Sequence, residues 1–285
     1  MLNIKNLNYN VKKDIEFIMA TEEKNIDEFS NLTNVSRATI YEILETNETI
    51  NNVYEKIYSY IYNKGYRINS VKEDILKETS TNKVLFHGSK QGLESITPIG
   101  SRESCDFGKG FYLGETYDQA LSFVCESKHS SVYSFTISLE NLNIINLECT
   151  IEWMLIICYY RGTLKNYENH PTIKNIINKI NDADIIIAPI ADNRMYYIMT
   201  QFVQGEINAD VALHSLSASK LGKQYVLKTK KSIEKLTSYE KYFLCYEEKI
   251  DCIKRQTIRA LEIETKLKLT KREFRNGLYI EELLK

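Results

Sequence analysis

The chain has 285 residues, of which 43% are hydrophobic, and this is enough for one large domain and a small one with a substantial core. Its formal net charge of -1 gives no global positive field of the kind that attracts nucleic acid. The most apolar segment, Trp153 to Tyr160, is too short to span a membrane, and the N-terminus lacks the layout of a secretion signal. Six cysteines occur without a Cys-x-x-Cys pair. We therefore expect a cytoplasmic protein with reduced thiols, no metal site and no membrane partner.

Residues 1–69 are predicted to form an all-α domain. An amphipathic helix around Ile15 precedes a second helix after Asn25, and Ser36 is a natural N-cap for a third helix from Arg37. The short connection between the second and third helices resembles the repressor-type helix-turn-helix domain, with the helix from Arg37 in the recognition position.

The charge of this module argues against a simple DNA reader. Through residue 80 the chain carries ten Lys and Arg against thirteen Asp and Glu, and Glu42 and Glu45 accompany Arg37 on the third helix. Phosphate contact requires several cations on one face. Three interpretations stay open: DNA binding, docking of a protein or a second copy of the chain, and a helical cap on the remainder. The polar residues 70–82 form the predicted linker.

Residues 83–237 are predicted to form a mixed domain of strands and helices. A strand over Val84-Leu85-Phe86 runs into His87-Gly88-Ser89. The segment Gly108-Lys109-Gly110-Phe111-Tyr112 has two glycines one residue apart, which let the backbone come close to a ligand. A helix should follow, since Ala120, Leu121 and Val124 recur at helical spacing.

The rest of the chain alternates further elements. The patterns predict a strand over Ser131 to Ile137 with one face buried, helices over 150–180 broken near Pro171, a central buried strand over Asp184 to Pro189, helices over Met195 to Val203 and Ala209 to Ser219, and a strand over Lys223 to Lys228. Residues 238–285 are predicted to be a helical tail with an aromatic stripe at Tyr239, Tyr242, Phe243 and Tyr246. This tail packs on the domain or makes a homodimer.

The motifs at His87-Gly88-Ser89 and Gly108 to Tyr112 resemble the ADP-ribosyltransferase superfamily, in the His-Tyr-Glu branch of diphtheria toxin and the poly(ADP-ribose) polymerases. The resemblance covers roughly residues 83 to 230 and looks closest to an uncharacterised bacterial group whose third signature residue is not glutamate. It implies an α+β fold with a split sheet rich in antiparallel strands. It also implies that NAD is the substrate and that no metal is needed.

The same resemblance implies how NAD would be held at its nicotinamide end. The backbone of Gly88 would bond the nicotinamide amide, and Ser89 would support that contact. Tyr112 and Phe123, eleven residues apart, would sandwich the ring by offset stacking. Gly110 belongs to the same contact surface.

Two further residues are expected to contact the adenosine ribose and the pyrophosphate of NAD. By the resemblance, His87 would bond the adenosine ribose. Arg102, between the two motifs, would pair with the pyrophosphate, because a guanidinium binds phosphate bidentately. The alternative for Arg102 is a solvated loop cation.

Gln224 occupies the place of the third signature residue, usually a glutamate, at the start of the strand over Lys223 to Lys228. Its carbonyl oxygen can accept a hydrogen bond from the nicotinamide ribose, but the neutral amide supplies neither a negative charge nor a general base. Glu206 or Asp210 is a candidate substitute carboxylate.

The sequence thus predicts an ADP-ribosyltransferase that modifies a protein or a nucleic acid, with His87, Tyr112 and Gln224 as its catalytic residues. A transcriptional regulator that senses NAD without turnover, and an NAD glycohydrolase, are the alternatives. The biological role stays open between toxin, self-modifier and antiphage effector.

Overall fold

The computed structural model describes residues 2–4, 7–217 and 221–285. The N-terminal part folds into helices α1 Val11–Thr21, α2 Ile26–Thr33, α3 Arg37–Thr46, α4 Asn51–Asn63 and α5 Ile68–Thr79. Ser36 is the N-cap of α3, as predicted, and its side chain accepts a hydrogen bond from the Thr39 N–H. Asn34 adopts a left-handed conformation with φ 53° and makes the tight turn between α2 and α3.

The chain also contains the strands β1 Leu2–Asn3, β2 Lys83–Ser89, β3 Ser95–Ile96, β4 Phe111–Gly114, β5 Ser131–Ile137, β6 Ile144–Asn146, β7 Ile185–Pro189, β8 Lys223–Leu227 and β9 Leu236–Tyr242. Among the described residues, a seven-stranded sheet has the spatial order β6-β7-β8-β4-β2-β5-β9. Its neighbours are antiparallel except for β6 and β7. The short β1 pairs with β3 outside this sheet. The predicted combination of helices with a mostly antiparallel sheet is confirmed.

The remaining helices are α6 Tyr117–Val124, α7 Ile151–Tyr160, α8 Pro171–Ile180, α9 Asn193–Val203, α10 Ala209–Ser217, α11 Lys230–Ile233, α12 Tyr246–Glu273 and α13 Ile280–Leu283. The predicted break before Pro171 is confirmed, because Pro171 is the first residue of α8 and His170 caps it. The predicted helix from Ala209 is α10, and residues 218 and 219 of that prediction lie outside the described residues. Among the described residues, no helix is both long and apolar enough to cross a bilayer.

The segment 70–82 is not an extended linker, because α5 covers it as far as Thr79. This helix is rich in polar residues, and one of its side chains, Lys72, joins it to both α1 and β9. Lys72 Nζ donates to Asp14 Oδ2 of α1 at 2.5 Å and to Glu240 Oε1 of β9 at 2.7 Å. Charge-assisted hydrogen bonds to the buried Asp14 and the partly buried Glu240 therefore anchor α5 to the elements on either side of it.

The C-terminal tail is also not wholly helical. Its first residues form β9, which pairs along β5 at the edge of the sheet. The aromatic residues predicted on one helical face are divided, with Tyr239 and Tyr242 on β9 and Tyr246 at the start of α12. The strand β5 is buried along its whole length and not on one face only, because Tyr133, Phe135 and Ile137 pack into one hydrophobic cluster and Val132 packs into another. The strand β7, predicted to be central, is buried but lies next to the edge strand β6.

Candidate functional site

The candidate site lies where β2 separates from β4. Among the described residues, β2 pairs with β4 only at Phe86 and Gly114, whereas it pairs with β5 over its whole length. His87 spans the gap, because its Nδ1 lies 2.8 Å from the carbonyl oxygen of Tyr112. A carbonyl can only accept, so Nδ1 carries the proton and Nε2 is free to accept. Burial lowers the pKa of His87, which favours the neutral imidazole over the charged form.

Gly88 lets helix α6 pack directly against β2. A Cβ atom at this position would lie 2.4 Å from the carbonyl oxygen of Ala120 and 2.9 Å from Cγ1 of Val124. These distances are too short for any side chain, so the glycine is required for the close approach. The backbone of Gly88 is therefore covered by α6 on one side. On the other side it lies beside the gap between β2 and β4.

Tyr112 forms a fixed wall on β4. Its hydroxyl donates to the carbonyl oxygen of Gly108 at 2.7 Å and accepts from the N–H of Phe107 at 3.1 Å. Burial raises the pKa of the phenol, so the hydroxyl stays protonated. The two hydrogen bonds hold the ring against the loop that precedes its own strand.

That loop is anchored by contacts that depend on its glycines. Gly108 has φ +70°, and a Cβ there would lie 2.8 Å from the ring of Tyr160. A Cβ on Gly110 would lie 2.6 Å from Cγ1 of Val226 on β8. Lys228 Nζ donates to the carbonyl oxygens of residues 107 and 109 at 2.5 Å each. The loop is therefore rigid, and both glycines of the motif are explained by packing.

Gln224 is the second residue of β8, lies opposite Gly114 and is 5% exposed. Its Nε2 donates to Asp106 Oδ2 at 2.9 Å and to the carbonyl oxygen of Pro189 at 3.1 Å. Neither partner can donate in return, so the orientation of the amide is fixed without ambiguity. No donor in the described part of the chain bonds to Oε1, and this atom is not sealed from solvent. It is free to accept a hydrogen bond from a ligand.

The carboxylate behind Gln224 belongs to an ion pair that the sequence did not indicate. Arg161, at the end of α7, donates through Nε to Asp106 Oδ1 at 2.7 Å and through a terminal nitrogen to the carbonyl oxygen of Ala191 at 3.1 Å. Its guanidinium carbon lies 4.4 Å from the ring centre of Tyr196. Asp106 is 7% exposed, so its charge is compensated inside the protein. The only sequence signal was the position of Asp106 next to the glycine motif.

The structure places His87 and Gly88 on β2, Tyr112 on β4 and Gln224 on β8, which are neighbouring strands, and His87 is bonded to the backbone of Tyr112. Ser89 is occupied locally, since its hydroxyl donates to the carbonyl oxygen of Gly92 at 2.5 Å. The other predicted contacts are exposed: Arg102 lies in the loop before β4, and Phe123 on α6 is 59% exposed.

The two candidate substitute carboxylates lie away from Gln224. Glu206 is exposed after α9 and accepts a hydrogen bond from Gln201 at 2.9 Å. Asp210 is exposed on α10, where a Cβ added to Gly277 would meet its Oδ2. The carboxylate that contacts Gln224 is Asp106. Among the described residues, no group of three His, Cys, Asp or Glu side chains is arranged to hold a metal ion.

A known protein family matches the part of the chain that contains the seven-stranded sheet as far as the start of β9. A model described as "Protein of unknown function (DUF3990)" matches residues 83–238. The chain belongs to the DUF3990 family. The DUF3990 segment starts at the first residue of β2 and ends within β9, so it contains every residue of the candidate site. No curated protein and no solved structure matches the chain.

Proposed function

We propose that the protein is an NAD-dependent ADP-ribosyltransferase that modifies a macromolecule, with an ADP-ribosyltransferase-like domain over residues 83–237. One observation carries the proposal. Three adjacent strands supply a histidine and glycine pair, a fixed tyrosine ring and an amide oxygen at the point where the sheet splits. These groups match the three requirements for breaking the bond between nicotinamide and ribose: a clamp on the ring, a hold on the ribose, and a polar group beside the anomeric carbon.

In the proposed complex the nicotinamide amide bonds to the backbone of Gly88, and its ring stacks on Tyr112. The ring of Phe123 closes on the opposite side of the nicotinamide. Gln224 Oε1 accepts a hydrogen bond from a hydroxyl of the nicotinamide ribose, and His87 Nε2 accepts one from the adenosine ribose. Ser89 supports the amide, Gly110 allows the loop to approach, and Arg102 pairs with the pyrophosphate. Metal is not required for this chemistry.

The site favours an acceptor that needs no base from the protein. During transfer, the bond between the anomeric carbon and nicotinamide breaks, nicotinamide leaves with the bonding electron pair, and the acceptor donates an electron pair to the anomeric carbon. Gln224 is neutral, and the charge of Asp106 is paired with Arg161. We therefore infer an acceptor that is already ionised, such as a carboxylate, or that loses its proton to its own surroundings, such as a nucleic-acid group.

The state of the cysteines indicates the cellular compartment in which the protein would act. All six are free thiols, which suits a reducing environment, and we place the reaction in the cytoplasm.

The test is incubation of the purified protein with labelled NAD in a cell extract, followed by measurement of label in protein, of label in nucleic acid and of free nicotinamide. The Gln224→Ala variant should lose the label. Gln201→Ala is the matched control, because Gln201 is a buried glutamine outside the site. Label that persists in Gln224→Ala would refute the assignment of the site.

A second candidate, a regulator that binds NAD without turnover, is favoured by one feature. The turn and N-cap between α2 and α3 are well formed, and α3 exposes Arg37, Tyr41 and Glu42 to solvent. NAD binding measured by calorimetry without release of nicotinamide would support this regulator, for which we propose DNA as the partner of the N-terminal module. Release of nicotinamide without labelled macromolecule would indicate a glycohydrolase.

A further inference from the structure

The outward face of α12 carries an apolar stripe. Ile258, Leu261 and Leu269 are 57%, 59% and 54% exposed, and Thr265 between them is exposed as well. Spacings of three and four residues align these four side chains along one side of the helix. Single exposed aliphatic residues are common on proteins, but a continuous line of them marks an interaction surface. We call these four residues the α12 stripe.

The opposite face of the same helix is committed to the protein's own core. Cys252, Ile263, Leu267 and Thr270 are buried, and Ile263 and Leu267 belong to the large cluster around Trp153. The helix therefore cannot rotate to hide the α12 stripe without breaking that packing. The stripe is presented to solvent by a helix that is held in place.

We propose that the α12 stripe binds the same stripe of a second copy of the chain, with the two helices antiparallel. A two-fold axis near residues 263 and 264 would put Ile258 opposite Leu269 of the second copy, and Leu261 opposite its Thr265. Such an interface is self-complementary, since each contact occurs twice.

The charges beside the stripe favour this occupant. Glu262 and Lys266 are one helical turn apart and lie on the same flank of the α12 stripe. In an antiparallel two-fold pair the same flanks face each other, so the same axis would place each Glu262 opposite Lys266 of the second copy. The apolar contacts and the ion pairs therefore require one and the same register. In a parallel two-fold pair opposite flanks would face each other, so Glu262 and Lys266 of one copy would not meet those of the second copy.

The size of the surface predicts a weak association. From Ile258 to Leu269 the helix extends about 17 Å at a rise of 1.5 Å per residue. A contact between two such stripes is smaller than the roughly 800 Å² per partner of a standard interface. We expect a dissociation constant between about 1 and 100 micromolar.

The test is sedimentation equilibrium of the full chain at several concentrations. Leu261→Glu should raise the dissociation constant at least about tenfold, because it places a charge in the centre of the apolar contact twice. Glu262→Lys and Lys266→Glu should each raise it by about fivefold, because symmetry repeats each like-charge contact. The double variant should return to within about twofold of the wild type. Lys271→Glu, an exposed reversal outside the stripe, is the control and should change nothing.

Circular dichroism of every variant should show unchanged helix content, because the altered residues are exposed or partly exposed. A wild-type chain that stays monomeric up to about 200 micromolar would overturn the proposal. So would a Leu261→Glu variant that associates like the wild type. Charge reversals that fail to rescue each other would refute the antiparallel register. These outcomes do not depend on NAD, so they are independent of the proposed transferase activity.

Discussion

Replacement of Gln224 by glutamate tests the geometry of the site most directly. Restoring the acidic residue usual in the ADP-ribosyltransferases that the chain resembles would be expected to raise turnover if only the local charge mattered. The structure predicts otherwise, because the amide nitrogen of Gln224 lies 2.9 Å from Asp106 Oδ2 and 3.1 Å from the carbonyl oxygen of Pro189. A carboxylate in its place would face two acceptors and donate to neither. One of the two carboxyl groups would have to take up a proton.

The magnitude follows from the contacts that are lost. A hydrogen bond to a charged partner contributes about 1.5 to 3 kcal/mol, and a neutral one about 1 kcal/mol. Loss of both should destabilise the Gln224→Glu variant by about 3 kcal/mol at pH 8, or about 8 °C in melting temperature for a chain of this size. The raised pKa of the new carboxyl makes folding favour the protonated form. The variant's deficit should therefore be small near pH 4 and should grow as the pH rises toward the raised pKa.

The assay is thermal unfolding of the wild type and the variant from pH 5 to 8, together with nicotinamide release from NAD. Release should not rise in Gln224→Glu. Adding Asp106→Asn should recover about half of the stability, since an asparagine can accept from Arg161 and donate to the new carboxylate, while Pro189 still lacks its donor. Release should rise in this double variant, where the carboxylate is ionised. A single variant as stable as the wild type at pH 8 would refute the described orientation of Gln224.

Substitutions at three further residues, Gly88, Tyr112 and Glu248, probe other contacts. Gly88→Ala should destabilise the fold by about 2 kcal/mol and abolish the NAD binding measured by calorimetry, because its Cβ would lie 2.4 Å from the carbonyl oxygen of Ala120. Gly100→Ala is the control and should be neutral, because its Cβ would meet nothing closer than 3.6 Å. Tyr112→Phe should lose about 1 kcal/mol of stability in denaturant titration but keep NAD binding, because the ring remains. Tyr112→Ala should lose both stability and NAD binding. If the two variants bound NAD equally well, a stacking role for the ring would be contradicted. Burial raises the pKa of Glu248 to about 7, so wild-type stability should fall as the pH rises from about 4.5 to 7. Glu248→Gln should flatten that part of the melting profile, and an unchanged slope would exclude Glu248 as its cause.

The elements that the sequence predicted well are those whose own residues determine them. The strand β2, the glycine loop and β8 follow from alternating apolar residues and from glycine spacing, and the structure has strands or a loop at each. Ser36 was identified as an N-cap because its hydroxyl acts on a neighbour three residues away. Such short-range causes are visible in a single sequence.

The ion pair behind Gln224 could not be predicted, because Asp106 and Arg161 are 55 positions apart and meet only through the packing of α7 on the sheet. The helix α5 was missed for a different reason. Its inward face combines the buried Ile68 with the buried polar residues Asn69 and Glu73, so apolar residues alone do not mark that face. The sequence predicts a helix over β9 because Tyr239, Tyr242 and Tyr246 recur at spacings of three and four residues, which is the helical pattern. Pairing with β5, which is distant in sequence, makes this segment a strand.

The contacts of α6 explain why the candidate site depends on more than the DUF3990 segment. Gly88 packs on one side of α6, and the other side is held by residues from outside residues 83–238. Glu73 of α5 accepts from the first N–H of the helix at 3.1 Å, and Glu248 of α12 accepts from the hydroxyl of Tyr117 at 2.9 Å. Arg255 of α12 pairs with Asp118 at 2.5 Å. Without α5 and α12, the buried hydroxyl and the first turn of α6 would lose their partners. The helices α5 and α12 therefore support the wall of the site from outside the DUF3990 segment.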